Sequence, residues 1–202
     1  MNINSLLNFS LFYKTFSRLA GANKFYSIYV NDYIKPKDGS RILDIGCGAA
    51  DILNFLPAVE YIGIDMNDNY IQSAIRKYRD KGLFLCKTIG KDTLNFNSKF
   101  DIIMANGVLH HLNDEEAIAL YKLAAHCISS TGRVITIDPC FEANQSKLVK
   151  FIISQDRGKF VRTRDDFLKL SSRFFSSTAT IRHNLINLPY THIIMECYNP
   201  TI

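Results

Sequence analysis

Short apolar runs alternate along this chain with stretches in which apolar residues recur at helical spacing. The runs predict buried strands at 41–45, 61–65, 83–86, 100–105 and 133–137. The helical spacing predicts intervening helices at 51–56, 68–80 and 117–128. Strands that alternate with helices are typical of a parallel sheet covered on both faces. The pattern therefore predicts an α/β fold with a doubly wound, mostly parallel sheet.

Both ends of the chain depart from this alternation. Residues 1–35 carry aromatic and aliphatic side chains at helical spacing and predict two helices, broken near Gly21 and ending before Pro36. After the fifth strand, the pattern predicts helices at 146–155 and from 164 onward, the second with Thr163 as its N-cap. The last two apolar runs, 178–183 and 192–198, predict a pair of strands.

Composition adds few constraints. The chain has 202 residues, 47% hydrophobic and 21% charged, which suits one ordinary globular core. The net charge of +5 is spread along the chain, and no apolar run approaches a membrane span, so neither nucleic acid nor a membrane is an expected partner. Five cysteines without a Cys-x-x-Cys pair indicate reduced thiols, a cytoplasmic protein and no metal site.

The first strand leads into a turn that contains two glycines. Gly46 and Gly48 follow Asp44 and flank Cys47, and such a turn allows close approach of backbone N–H groups to a ligand. A dinucleotide fingerprint requires a third glycine at position 51, where this chain has Asp51. Because a carboxylate there would repel a pyrophosphate, NAD and FAD are disfavoured.

Two later positions continue the pattern. Asp65 ends the second strand, 21 positions after Asp44, where a carboxylate can accept both hydroxyls of a ribose. The alternative for Asp65 is that it caps the next helix. The fourth strand is followed by the segment Asn106-Gly107-Val108-Leu109-His110-His111-Leu112.

In this order and spacing, these segments resemble the class I S-adenosylmethionine-dependent methyltransferases. The first matches the family pattern of an acidic residue followed by Gly-x-Gly-x-Gly, with Ala50 in place of the last glycine, and the last matches a Val-Leu-His-His-Leu segment. The resemblance covers about residues 36–198. It implies a Rossmann-like sheet of seven strands with a C-terminal antiparallel hairpin, and S-adenosylmethionine as the cofactor. That cofactor carries a sulfonium and no phosphate, so Asp44 and Asp51 are acceptable neighbours.

The resemblance also implies an organisation and a set of site residues. We expect a single domain over 1–202, with a helical cap at 1–35, a cofactor-binding half at 36–141 and a substrate-side half at 142–202. The expected cofactor-binding residues are Asp44, Gly46, Cys47, Gly48, Asp65, Met66, Thr88, Ile89, Asn106 and Gly107. Thr88 stands where the family frequently has an aspartate that meets the adenine amino group, and Ile89 is placed to pack on the adenine.

Methyl transfer to a hydroxyl requires a base, and histidine suits that role at neutral pH. His110 and His111 are the candidates. Adjacent residues at a helix start diverge by about 100°, so only one can face the cleft, and we favour His111. The alternative is that both histidines are structural. Further candidates for the pocket are Tyr13, Tyr26, Tyr29, Tyr190 and His192. The alternative for each of them is a position in the hydrophobic core.

The acceptor is predicted only by class. Arg157, Arg162 and Arg182 are candidates for holding a phosphate or carboxylate, or else they form a solvated surface. The Pro-Pro-aromatic motif that DNA amino-methyltransferases carry after the fourth strand is missing here. We therefore predict methyl transfer to O or N of a small molecule, possibly an anionic one. The alternatives are a non-catalytic methyltransferase-like binding domain and a nicotinamide oxidoreductase.

Overall fold

The computed structural model describes residues 21–88, 96, 99–155, 158–183 and 185–201. The helices are α1 (Ala22–Ile28), α2 (Asp68–Tyr78), α3 (Asp114–Cys127), α4 (Lys147–Ser154) and α5 (Arg164–Ser171). A π-helical turn spans Tyr29–Ile34, and 3-10 turns span Asp51–Asn54 and Leu109–His111. The strands are β1 (Arg41–Ile45), β2 (Glu60–Asp65), β3 (Gly82–Cys86), β4 (Phe100–Asn106), β5 (Ile128–Phe141), β6 (Arg162–Thr163), β7 (Ser176–Arg182) and β8 (His192–Tyr198).

The sheet confirms the predicted fold class. Its order is β3-β2-β1-β4-β5-β8-β7, parallel from β3 to β5 and antiparallel through β8 and β7. The short strand β6 pairs with the end of β5 and makes an eighth strand that the pattern did not predict. The strand order reverses between β1 and β4, and in such sheets the crevice at the carboxyl ends of these strands binds ligands.

The core lies on both faces of the sheet because consecutive strand residues point to opposite sides. Ile42, Ile102 and Met104 pack against the segment 29–34 and α2 on one face. Leu43 and Ile103 pack against α3 and α5 on the other face. The mainly apolar residues of β1 and β4 therefore supply both layers, as expected for buried parallel strands. Among the described residues, no helix is both long and apolar enough to cross a membrane.

Two helices begin at capping residues, one of which is the predicted N-cap Thr163. Asn113 and Thr163 each accept a backbone N–H and form a capping box with the residue three positions later. The second predicted N-terminal helix is present as α1 and the π-helical turn. The first lies in 1–20, outside the described residues.

Two elements differ from the prediction. The helix expected at 51–56 is only the 3-10 turn Asp51–Asn54. The pattern predicts that the fifth strand begins at residue 133, whereas β5 begins at Ile128, and its pairing with β4 passes from Phe100↔Ile128 directly to Ile102↔Arg133. Three additional residues of β5 are accommodated there as a bulge, so the strand begins five residues before its predicted start.

Candidate active site

The glycine turn joins the ends of β1 and β2. The backbone N–H groups of Gly46 and Cys47 both donate to the carbonyl of Ile64, at 2.7 and 3.0 Å. Gly46 has a φ of +73°, and a Cβ on it would lie 2.5 Å from Cγ2 of Val108. Glycine is required at position 46 by both its backbone conformation and the close approach of the segment that follows β4.

Asp65 fixes the rest of this turn. Its Oδ2 accepts the N–H of Gly48 at 2.9 Å, and its Oδ1 accepts the N–H of Asn67 at 2.8 Å. The helix-cap alternative is wrong, because Asn67 is the N-cap of α2. Each carboxylate oxygen has a second lone pair, and the neighbouring Met66 side chain is 74% exposed. An acceptor group and an apolar surface thus lie side by side at the end of β2.

Asp44 is a second carboxyl group at this edge and is almost completely buried. Its Oδ2 accepts the hydroxyl of Tyr61 at 2.6 Å, whereas its Oδ1 is buried without a hydrogen-bond partner. Burial raises the pKa of Asp44 to about 7, opposed by the Tyr61 hydrogen bond and reinforced by the nearby charge of Asp65. A buried, unpartnered carboxyl oxygen favours a ligand that carries positive charge or a donor group.

Ala50 and Asp51 occupy the two positions of the turn where the family pattern and the dinucleotide fingerprint, respectively, have a glycine. Ala50 has a φ of +57°, so it adopts the left-handed conformation that glycine takes most easily. Asp51 Oδ1 lies 2.6 Å from Nζ of Lys77 on α2. Our electrostatic reason for excluding a dinucleotide is therefore weakened, because a lysine neutralises that carboxylate.

The end of β4 is tied to the N-terminal helical segment. The Tyr29 hydroxyl donates to Oδ1 of Asn106 at 2.7 Å. The ring of Phe25 stacks on Tyr29 at 5.7 Å between centroids and lies 6.0 Å from the ring of His192. Tyr190 lies 4.8 Å from His192. Three of the predicted pocket candidates, Tyr29, Tyr190 and His192, thus belong to one aromatic cluster beside Asn106.

Other predicted residues lie elsewhere. Tyr26 stacks on Phe55, 5.2 Å between ring centroids. Thr88 follows β3 and is half-buried, and the preceding backbone N–H of Lys87 donates to the carbonyl of Asp65. Tyr13, Ile89 and Arg157 lie outside the described residues.

The two histidines differ in burial and in their contacts. His110 is buried, and both its Nδ1 and its backbone N–H contact Oδ1 of Asp138, at 2.8 and 3.1 Å. His111 is exposed, although the two rings are 4.0 Å apart. A Cβ placed on Gly107 would lie 3.7 Å from Cε1 of His110. His110 is therefore the histidine adjacent to the end of β4.

Asp138 completes this pair from the end of β5. It is 1% exposed, and burial raises its pKa while the hydrogen bond and the charge of His110 lower it. Its Oδ2 is buried without a hydrogen-bond partner.

Among the described residues, no group of three or more His, Cys, Asp or Glu side chains is arranged to hold a metal ion.

The sequence profile of the methyltransferase domain family matches residues 36–165. The chain belongs to this family. An uncharacterized methyltransferase of Staphylococcus carnosus is 26% identical over 136 residues, 65% of this methyltransferase and 63% of the relative. Aklanonic acid methyltransferase DauC of Streptomyces sp. (strain C5) is 29% identical over 122 residues, 55% and 54% of the two chains. The methyltransferase thus spans less than two thirds of the length of these relatives.

A solved structure has the same fold over almost the whole chain. The TehB-like S-adenosylmethionine-dependent methyltransferase of Corynebacterium glutamicum superimposes with a TM-score of 0.70 at 14% identity. The match covers 98% of this methyltransferase and 100% of the other chain. The likeness extends the shared fold beyond the residues that the family profile matches.

Arg162 of this methyltransferase is a structural residue and not an exposed anion-binding group. Its guanidinium donates to the carbonyls of Leu109, Leu112 and Phe160 and pairs with the Asp114 carboxylate, and the residue is 8% exposed. These bonds use its donors inside the protein, around the turn that carries His110. The solvated-surface alternative for Arg162 is therefore wrong, and its candidacy as an anion-binding residue gains no support from these contacts.

Sequence reasoning missed Asp138 and the role of Arg162. Asp138 was visible only as an acidic residue at a strand end, and nothing in the spacing paired it with a histidine 28 positions earlier. Arg182 donates to the Tyr33 hydroxyl at 2.5 Å and lies over that ring, so it too contacts the protein itself.

Proposed function

We propose that this chain transfers a methyl group from S-adenosylmethionine to an oxygen or nitrogen atom of a small molecule. The observation that carries the proposal is the His110–Asp138 pair, which lies beside Gly107 at the carboxyl edge of the sheet. In a methyltransferase domain, that edge holds both the glycine turn and the Asp65 carboxylate. The proposed base therefore lies next to the proposed cofactor-binding groups, which are the glycine turn and the Asp65 carboxylate.

The chemical groups around the glycine turn fit S-adenosylmethionine. Asp65 retains acceptor lone pairs for the ribose hydroxyls, and the exposed Met66 offers an apolar surface for the adenine. The carboxyl oxygen of Asp44 is buried and unpartnered, and it suits a neighbour with positive charge. We assign the remaining contacts to the backbone at Gly46, Cys47 and Gly48 and to Thr88, Ile89, Asn106 and Gly107. When bound, the cofactor supplies the activated methyl group.

We assign the base to His110. We assign the proton of the neutral ring to Nδ1, which then donates to the Asp138 carboxylate and makes Nε2 the acceptor nitrogen. Nε2 adjoins Cε1, the ring atom nearest to Gly107. A proton taken from an acceptor hydroxyl at Nε2 would give an imidazolium, and the Asp138 carboxylate would stabilise its charge. His111 remains the second candidate from the sequence, but it is exposed.

The acceptor is proposed to be small and partly aromatic or apolar. The cluster of Phe25, Tyr29, Tyr190 and His192 supplies flat surfaces beside Asn106. The relative named for aklanonic acid supports a small-molecule acceptor. Support for an anionic acceptor is reduced, because Arg162 and Arg182 bond within the protein.

The wider organisation is also a proposal. We retain a single domain, with a helical cap at 1–35, a cofactor-binding half at 36–141 and a substrate-side half at 142–202. All five cysteines are free, which supports a reducing, cytoplasmic location.

The experiment is a methyl-transfer screen with methyl-labelled S-adenosylmethionine against hydroxylated and amine-bearing small molecules. For an accepted hydroxyl substrate, His110→Gln should lower kcat by about 10²-fold or more, as removal of a general base does. The matched variant His111→Gln should stay within about threefold of the wild type, because an exposed side chain contributes little. Equal losses in both variants, or a loss only in His111→Gln, would contradict the assignment.

A further inference from the structure

Between β5 and β6 the chain makes an excursion over residues 142–161 and returns to the strand it left. Cys140 pairs with Arg162 and Phe141 with Thr163, so both ends of the excursion lie at the carboxyl end of β5. Helix α4 lies within it, capped by Ser146. The excursion is therefore on the same edge of the sheet as the His110–Asp138 pair.

Helix α4 directs large apolar side chains away from the core. Leu148 is 59% and Phe151 is 62% exposed, and only Ile153 is fully buried. Phe160, further along the excursion, is 38% exposed, with the Arg162 guanidinium 6.0 Å from its ring. These are three of the six large apolar residues that are exposed in the described chain. A helix normally buries its apolar stripe, so an exposed one indicates a surface that meets a partner.

Lysines are interleaved with these apolar residues. Lys147, Lys150 and Lys159 are exposed, and α4 itself contains no acidic residue. The excursion contains two acidic residues, Glu142, which faces His183 at 3.5 Å, and Asp156, which directly precedes Arg157 in the sequence. We define the basic apolar face as Lys147, Leu148, Lys150 and Phe151 of α4.

We propose that the basic apolar face docks the protein on an anionic lipid surface. Apolar side chains at the boundary of the acyl chains and lysines at the headgroups are the arrangement of an interfacial helix. Lysine stems lie along apolar surface while their ammonium groups stay at the polar boundary. A second copy of this chain fits less well, because a two-fold contact through this face would bring two sets of lysines together.

Composition alone predicts no membrane association, and the contact proposed here is peripheral and reversible. Two apolar side chains and two lysines give weak binding that depends on anionic lipid. The face lies on the excursion that borders the catalytic edge, so docking would present that edge toward the bilayer. An acceptor dissolved in the membrane would then reach the site without crossing bulk water.

The test is co-sedimentation of the full chain with vesicles of phosphatidylcholine alone or with about one third phosphatidylserine. The wild type should bind the anionic vesicles at least about tenfold more strongly than the neutral ones. Lys147→Gln with Lys150→Gln should weaken this binding about thirtyfold. Leu148→Gln with Phe151→Gln should weaken it at least about tenfold.

A matched control removes the same residue types elsewhere. Leu83→Gln with Lys122→Gln replaces a 54% exposed leucine on β3 and an exposed lysine on α3, and it should leave vesicle binding unchanged. The proposal fails if wild type does not bind anionic vesicles or if the control loses binding equally. It also fails if poly-glutamate fully displaces the protein from anionic vesicles while the Leu148 and Phe151 substitutions leave vesicle binding unchanged. That result would indicate an acidic protein partner. A dimer in solution that these two substitutions dissociate would assign the face to self-association instead.

Discussion

Arg162 offers the sharpest test of how this site is built. Its guanidinium bonds the carbonyls of Leu109 and Leu112, which flank the two histidines, and that of Phe160, at 2.8, 2.7 and 3.1 Å. Replacement by alanine leaves these three acceptors without their charged donor. The turn that positions His110 would lose its link to the excursion between β5 and β6.

The expected loss of stability follows from these bonds. The buried bond to Leu109 contributes about 2 kcal/mol, and each of the two partly buried bonds contributes about 1 kcal/mol, because water can replace part of them. The Asp114 carboxylate is 73% exposed, so its ion pair adds little. Arg162→Ala should therefore lower the free energy of unfolding by about 4 kcal/mol.

Urea unfolding followed by circular dichroism measures this directly. Arg162→Lys keeps the charge but not the planar fork, so it should lose about half as much. The matched control is Arg164→Ala, because Arg164 and its partner Asp165 have side chains 53% and 91% exposed. It should change stability by no more than about 0.5 kcal/mol. A loss below about 1 kcal/mol for Arg162→Ala, or equal losses for both alanine variants, would refute the reasoning.

Three further predictions concern the site. Asp138→Asn should lower kcat for a hydroxyl acceptor by at least about tenfold and shift its pH profile, with little change in affinity for S-adenosylhomocysteine; an unchanged profile would contradict the pairing. The pKa of Asp44 is raised in the folded state from 3.8 to about 7, so its stabilising contribution is present below the lower value and is lost as pH rises through the higher one. Asp44→Asn should therefore be more stable than wild type at pH ~8, by at most about 4 kcal/mol, and that difference should disappear in unfolding measurements near pH ~4. Gly46→Ala should cost about 2–3 kcal/mol in thermal unfolding, and adding Val108→Ala should recover part of the loss, whereas purely additive effects would argue against the 2.5 Å approach.

Sequence patterns were most informative where structure is local. Apolar runs predicted four of the five parallel strands to within one residue and the middle of the fifth, since strands buried on both faces are mainly apolar. Thr163 predicted the start of α5 because a capping residue acts on backbone groups two or three positions away.

Sequence patterns were least informative where distant residues decide the geometry. The choice between His110 and His111 depends on Asp138, which belongs to another strand. The charge of Asp51 is neutralised by Lys77, which belongs to the next helix. From the sequence alone, Arg162 is expected to be a cation on the surface. The fold places its guanidinium against three backbone carbonyls. Pairings of this kind follow from the topology of the sheet and leave no spacing signal.

The most direct test of the account is calorimetric titration with S-adenosylhomocysteine, with NADH as the comparison ligand. The wild type should bind S-adenosylhomocysteine in the micromolar range and should not bind NADH. Asp65→Ala should weaken that binding at least about tenfold, because charge-assisted hydrogen bonds to the ribose are removed. Asp68→Ala, which removes an exposed carboxylate three residues away, should leave it unchanged. Binding of NADH, or binding of neither ligand, would contradict the assignment of this site to S-adenosylmethionine.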